Sequence, residues 1–215
     1  MKRINIGCGR TPTSGWTNYD NSPSVWLSKY GVLVKVLVLL RLLDGSQKEF
    51  IEFTKSSSIQ WAEATKRIPE ADETIEVVYS SHMLEHLDKY ERDGFLRESY
   101  RVLCPGGFIR LAVPNIQFHV RNYFEDNDAD RLIAALSLAK AKPRTLAAKW
   151  RYLLFGARHH HWMYDGDSLC RLLLSAGFVD ARVMVPGETR IQEPGELDLY
   201  ERVPESVFVE AIKPL

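Results

Sequence analysis

Cysteine is scarce in this chain of 215 residues: Cys8, Cys104 and Cys170 are odd in number and far apart. No disulfide framework is expected from them, and a reducing cytoplasm is the expected compartment. Net charge is missing too, because 28 Lys+Arg balance 28 Asp+Glu. The global electrostatic footprint of a nucleic-acid binder is therefore absent. No hydrophobic run reaches bilayer length; the most apolar one, from Gly31 to Leu43, is short and interrupted by Lys35 and Arg41. Met1-Lys2-Arg3 leads straight into a strand-like segment, with no apolar stretch before a cleavage site, so no signal peptide is expected. Repeats, low-complexity tracts and linkers are absent as well, which leaves a single domain over 1–215.

What is present reads as alternating strands and helices. Short apolar runs separated by longer helical patterns predict a parallel sheet with crossover helices. Strands are expected at Arg3–Ile6, Trp16–Tyr19, Ile59–Ala62, Ile75–Tyr79 (stopped by Ser80-Ser81) and Phe108–Val113. Two closing strands are expected at Val179–Val185 and Ser206–Ala211, the last antiparallel. Asp88 with Glu91 three residues on predicts a capped helix start. Asn115 opens a helical pattern to about Gly156, broken near Asp128 and Pro143. A final helix, Ser168–Ser175, follows the capping residues Asp165 and Asp167 and stops at Gly177.

The chemistry begins at Gly7-Cys8-Gly9, directly after the first strand. Glycines there let the backbone turn sharply and a ligand approach without a Cβ in the way. The third glycine of the dinucleotide fingerprint is missing, so the triplet alone has little specificity. Asp20 closes the second strand, where an acid faces the crevice of an open parallel sheet and can hold ribose hydroxyls. It arrives far sooner than the ~20 residues a full crossover takes. The first crossover is thus a short loop through Pro12 and Gly15, with no helix.

Glu63-Ala64 before Arg67-Ile68-Pro69, then Ser80-Ser81-His82-Met83-Leu84-Glu85-His86-Leu87, then Leu103-Cys104-Pro105-Gly106-Gly107, resemble class I S-adenosylmethionine-dependent methyltransferases in order and spacing from Ile4 to about Val113. The resemblance implies a Rossmann-like, doubly wound, mostly parallel seven-stranded sheet with one antiparallel edge strand. It implies S-adenosylmethionine as cofactor, held by Gly7, Cys8, Gly9, Asp20, Glu63, Ala64, Ser80, Ser81 and His82. The acid-Ala pair would flank adenine and the residues after the fourth strand the methionine end. Two departures stand out: Asn5 replaces an acid expected at the methionine ammonium, and Glu63 replaces the commoner Asp. Gly15-Trp16-Thr17-Asn18-Tyr19-Asp20 and His159-His160-His161-Trp162-Met163-Tyr164-Asp165 look like a bacterial subgroup linked to polysaccharide and glycolipid biosynthesis. That implies O-methylation of a saccharide or glycolipid; a small-metabolite acceptor is the alternative.

Methyl transfer to oxygen needs in-line approach to the sulfonium, and often a base. The candidates are His82, His86, His161 and Tyr164, with His161 and Tyr164 expected to line the acceptor pocket. A rival reading takes His82-Met83-Leu84-Glu85-His86 as H-x-x-E-H, a zinc-hydrolase pattern with Glu85 as base and the His159–His161 run as further ligands. That needs both His on one helix, whereas a strand end precedes His82 and a helix cap follows His86. No metal ligand is assigned on this reading. A non-catalytic cofactor-binding module is a further alternative.

Two stretches lack acids: Asp20 to Asp44, punctuated by Lys29, Lys35 and Arg41, and Asp130 to Asp165, with Arg131, Lys140, Lys142, Arg144, Lys149, Arg151 and Arg158. One reading buries Val32–Leu43 as a core helix and leaves the basic residues as solvated surface. The other makes covers of about 21–56 and 115–165 that receive an anionic, lipid-linked saccharide at an anionic membrane surface. Trp150, Tyr152 and Phe155 among the basic residues also suit RNA stacking. No RNA-binding module is recognisable, so nucleic acid is not an expected partner.

Overall fold

The computed structural model describes residues 2–40, 42–137, 145, 149 and 159–215. Its strands are β1 (Lys2–Ile6), β2 (Thr17–Asp20), β3 (Ile59–Trp61), β4 (Ile75–Ser81), β5 (Leu103–Pro114), β6 (Val179–Met184) and β7 (Ser206–Ile212). The helices are α1 (Pro23–Leu27), α2 (Gly31–Leu39), α3 (Gly45–Ser56), α4 (Lys89–Val102), α5 (Ile116–Asp126), α6 (Ala129–Leu136) and α7 (Gly166–Ser175), with one 3₁₀ turn at Leu84–His86.

The seven strands form one sheet in the order β3-β2-β1-β4-β5-β7-β6. Pairing is parallel from β3 through β5, and β7 runs antiparallel to both its neighbours. The antiparallel strand therefore lies one place in from the edge, with β6 outside it. Chain order and spatial order reverse at β1 and β4, the switch point where ligands bind such sheets. β1 and β2 are joined by a loop without a helix, which keeps Asp20 close to the glycine turn.

The central strands are rich in Ile and Val because both of their faces are covered. Ile4, Val78, Ile109, Leu111 and Val209 are fully buried in the main core, against Phe95 and Leu96 of α4 and Leu169 and Leu173 of α7. α4 starts as its sequence predicts: Asp88 accepts from the Tyr90 and Glu91 amides, and the Glu91 carboxylate accepts from the Asp88 amide. Asp165 and Ser168 cap α7 in the same way.

Two expectations change. Ser80 and Ser81 do not stop β4; they are its last two rungs, paired with Leu111 and Ala112 of β5. The helical stretch after Asn115 does break at Asp128, the N-cap of α6, and α5 and α6 are each closed by a left-handed residue, Asn127 and Ser137; Pro143 and Gly156 lie outside the described residues. The apolar segment after Gly31 is not a buried helix, since α2 contains no buried residue. Its inner face, Val34, Leu37 and Val38, rests on Leu27, Leu43 and Ile51. Val32, Val36, Leu39 and Leu40 are left exposed, Val32 at 79% and Leu39 at 82%.

Candidate active site

β1 runs into Gly7 (φ 70°) and Gly9 (φ 51°), a left-handed turn that glycine adopts without strain. The amides of Gly7 and Cys8 donate to the Tyr19 carbonyl of β2 at 2.8 and 3.1 Å. Asp20 then locks the turn from the other side. Its Oδ2 accepts from the Gly9 amide at 2.9 Å and its Oδ1 from the Ser22 amide at 2.7 Å. Each oxygen keeps a further lone pair for a ligand hydroxyl. Among the described residues, a Cβ built on Gly9 would meet nothing within 4 Å, which leaves space over the turn. Cys8 offers backbone only. Its side chain is buried with Val25, Phe50 and Ile59, and burial with the Asp20 charge pushes the thiol up to about 12.

Around this cradle sit the other predicted contacts. The Ala62 amide donates to the Asp20 carbonyl at 3.3 Å, which brings Glu63 and buried Ala64 beside Asp20. Glu63 is partly exposed, with Thr65 Oγ1 donating to its Oε1 at 3.1 Å. Asn5 is buried under the turn: its Nδ2 donates to the Thr11 carbonyl and Thr13 Oγ1, while Oδ1 has no partner among the described residues. An orphaned buried acceptor at this position suits an ammonium group, as an acid would. Positive-φ glycines, open space over Gly9, an acid at the carboxyl end of β2 and this free oxygen fit a nucleoside joined to an amino acid.

At the end of β4, Ser80 Oγ faces Met83 Sδ at 3.8 Å, and Met83 packs so closely on Gly7 that a Cβ there would overlap it. The Ser80–His86 segment thus adjoins the glycine turn. His82 has left-handed backbone (φ 48°), which aims its ring at Glu85: Nδ1 stands 3.4 Å from Glu85 Oε1 and Nε2 lies 2.9 Å from Ser206 Oγ. The 3₁₀ turn places His86 Nε2 3.9 Å from the same oxygen, and His160 Nε2 lies 4.0 Å from it. Burial, the largest influence on His160, holds its imidazole below the usual range against the raising effect of Glu85.

Sequence reasoning pointed to His161 for the ring contributed by the later segment, but the structure puts His160 against Glu85. His161 is exposed, stacks on His159 at 4.3 Å between centroids, and meets the site through its amide, which donates to the Glu85 carbonyl at 2.7 Å. Tyr164 is 2% exposed and its ring belongs to the main core, so it supports the site from below. Nothing in the sequence separates His160 from its neighbours, because the choice depends on how a loop enters a fold. The zinc-hydrolase reading fails on geometry: His82 lies just past the end of β4 and His86 sits in a single 3₁₀ turn, so no continuous helix carries both.

Two surface hollows lie elsewhere: one of about 350 Å³ between α4 and α7, lined by Arg92, Leu96 and Tyr100, and one of about 370 Å³ beside Arg3 and Trp16. Neither touches the glycine turn or the Glu85 cluster. The charged, strained and open groups converge instead at the carboxyl edge of the sheet, where open parallel sheets bind their ligands.

Residues 13–183 match the model of a methyltransferase-domain family. No curated protein sequence matches. Among solved structures, a methyltransferase from Methanosarcina mazei is similar at 16% identity and TM-score 0.53, over 100% of this chain and 92% of that one. A possible histamine N-methyltransferase from Thermotoga maritima is similar at 15% identity and TM-score 0.51, over 99% and 81%. A third, from Mesorhizobium loti, stands at 16% and 0.50, over 98% and 90%. These three show the shared fold, and the family match covers well over half the chain, so the chain belongs to the class I S-adenosylmethionine-dependent methyltransferases.

Proposed function

We propose that the enzyme O-methylates a saccharide or glycolipid, and that it meets a lipid-linked acceptor at an anionic membrane surface. Bound over the glycine turn, S-adenosylmethionine supplies a methyl group on a sulfonium: the acceptor oxygen forms the new O–CH₃ bond as the S–CH₃ bond breaks, its proton passes to solvent, and S-adenosylhomocysteine leaves. The chain's own work is placement. Asp20 and the Gly7–Gly9 turn fix the nucleoside end, Asn5 the amino-acid end, and His82, His86 and His160 around Glu85 form the wall that receives the acceptor. Holding the reacting atoms in line can supply ~7–11 kcal/mol of the barrier.

The observation that carries the membrane part is the outer face of α2. Val32, Val36, Leu39 and Leu40 are exposed there, Trp26 and Tyr30 stand beside them in ring contact at 4.6 Å, and no acid occurs between Asp20 and Asp44. Contiguous apolar surface bordered by Lys29 and Lys35 is the composition of an interfacial helix, which lies on a bilayer rather than in it. No helix among the described residues is long and apolar enough to cross a membrane. Liposome co-sedimentation tests the idea: binding should rise several-fold when a third of the lipid is anionic, and fall when Leu39 and Val36 are replaced by Glu. Equal, negligible binding with and without anionic lipid removes the membrane surface from the reading. Tritium transfer from labelled cofactor to lipid-linked saccharide extracts, set against small polar metabolites, tests the acceptor class.

A further inference from the structure

Glu85 is 1% exposed, and among the described residues neither of its carboxylate oxygens has a hydrogen-bond donor. A buried carboxylate without donors is costly, so a compensating positive charge belongs beside it. His82 Nδ1 stands 3.4 Å from Glu85 Oε1, and its Nε2 lies 2.9 Å from Ser206 Oγ. His86 Nδ1 donates to the His159 carbonyl at 3.0 Å, so in the neutral ring His86 Nε2 is a lone pair facing the same carboxylate oxygen. There an acceptor faces an acceptor.

We propose that Glu85, His86 and His160 hold a divalent first-row transition ion, which receives an oxygen of the methyl acceptor in its open coordination positions. One ligand atom from each of the three residues lies within 4.8 Å of the other two. Bonds of ~2.0–2.2 Å would draw these atoms closer still. Two imidazoles and one carboxylate suit Mn²⁺, Fe²⁺, Co²⁺, Ni²⁺ or Zn²⁺ better than an all-oxygen cation. A ring nitrogen that donates to a backbone carbonyl while the other faces the ion is the usual way a protein orients a metal-binding histidine, and His86 has it. Glu85 is here a ligand, not the base of a hydrolase. The site lies two residues beyond Met83, whose side chain covers Gly7, so a bound acceptor oxygen would stand beside the methyl donor.

The acceptor role rests on the methyltransferase assignment; the ion does not. The test is therefore run on the full chain, stripped with chelator and titrated with Co²⁺ alone, without cofactor or acceptor. One Co²⁺ per chain, with visible d–d absorption, is expected. His160→Ala and, separately, His86→Ala should each weaken it tenfold or more, with far-UV circular dichroism and S-adenosylhomocysteine affinity at wild-type values. No Co²⁺ uptake by the wild type overturns the site, and so does a loss below tenfold in whichever of the two variants folds. Failure of the metal titration with intact S-adenosylhomocysteine binding leaves the methyltransferase assignment standing. Failure of S-adenosylhomocysteine binding with intact metal uptake strikes the cofactor site instead.

Discussion

The Asp20 carboxylate and the Gly9 amide meet at 2.9 Å, which ties the end of β2 to the turn that follows β1. The pairing makes Asp20 a brace for the turn, and we propose that its remaining lone pairs hold the ribose hydroxyls. Hydrogen bonds to a charged group are worth ~1.5–3 kcal/mol each. Asp20→Ala should therefore weaken S-adenosylhomocysteine by about 10- to 100-fold in calorimetric titration. Unchanged affinity in the variant would show that the carboxylate serves the turn alone.

Arg110 of β5 and Glu210 of β7 pair at 2.6 Å in register, and neither is exposed at all. Glu210 also accepts from Thr189 Oγ1 and the Arg190 amide, so this pair anchors the loop between β6 and β7 to the sheet. Removing one partner of such a pair leaves a buried charge and typically costs ~3–5 kcal/mol. Glu210→Ala should lose that much in urea unfolding, whereas the double replacement Arg110→Met with Glu210→Leu should lose less than the single. A double variant weaker than Glu210→Ala would contradict the account.

How much of this was legible in the sequence depends on range. Local devices were readable: the Asp88/Glu91 box, the left-handed Gly177 and the helix-free first crossover all follow from residues within a few positions of one another. Ser80 and Ser81 misled because polar residues usually end strands. Here they are the part of β4 that reaches the site, and sheet pairing with β5 holds them. The apolar composition of α2 suggests burial, yet a nine-residue helix resting on one small cluster of three buried side chains can hide only one face. Glu85 with His160, and Arg110 with Glu210, join residues that only the sheet topology brings together.

Gly94 in α4 packs against the loop that carries Glu63 and Ala64. A Cβ there would overlap the Thr65 carbonyl oxygen, a backbone atom that cannot swing aside. Alanine favours helix over glycine by up to ~1 kcal/mol, but overpacking costs ~1–3 kcal/mol and displaces the loop. Gly94→Ala should lower the melting temperature and weaken S-adenosylhomocysteine together. A stabilised variant with wild-type affinity would mean that α4 shifts freely, against the close packing of helix on loop.

Glu98 supplies a dependence on pH. Burial alone would raise its carboxyl, but hydrogen bonds from Arg101 at 2.6 and 2.9 Å and from the Ile68 amide at 2.9 Å outweigh it and hold the group below the usual carboxylate range. A folded value below the unfolded one means that the unfolded chain takes up the proton first as pH falls. The stabilisation is therefore complete above the ordinary carboxylate value of ~4.3 and disappears as pH drops through the folded one. Glu98→Gln should cost ~1–3 kcal/mol at pH 7, and the gap from the wild type should close as urea unfolding is repeated toward pH 3. A gap that stays constant across that interval would assign the loss to packing around Arg101 rather than to the charge on Glu98.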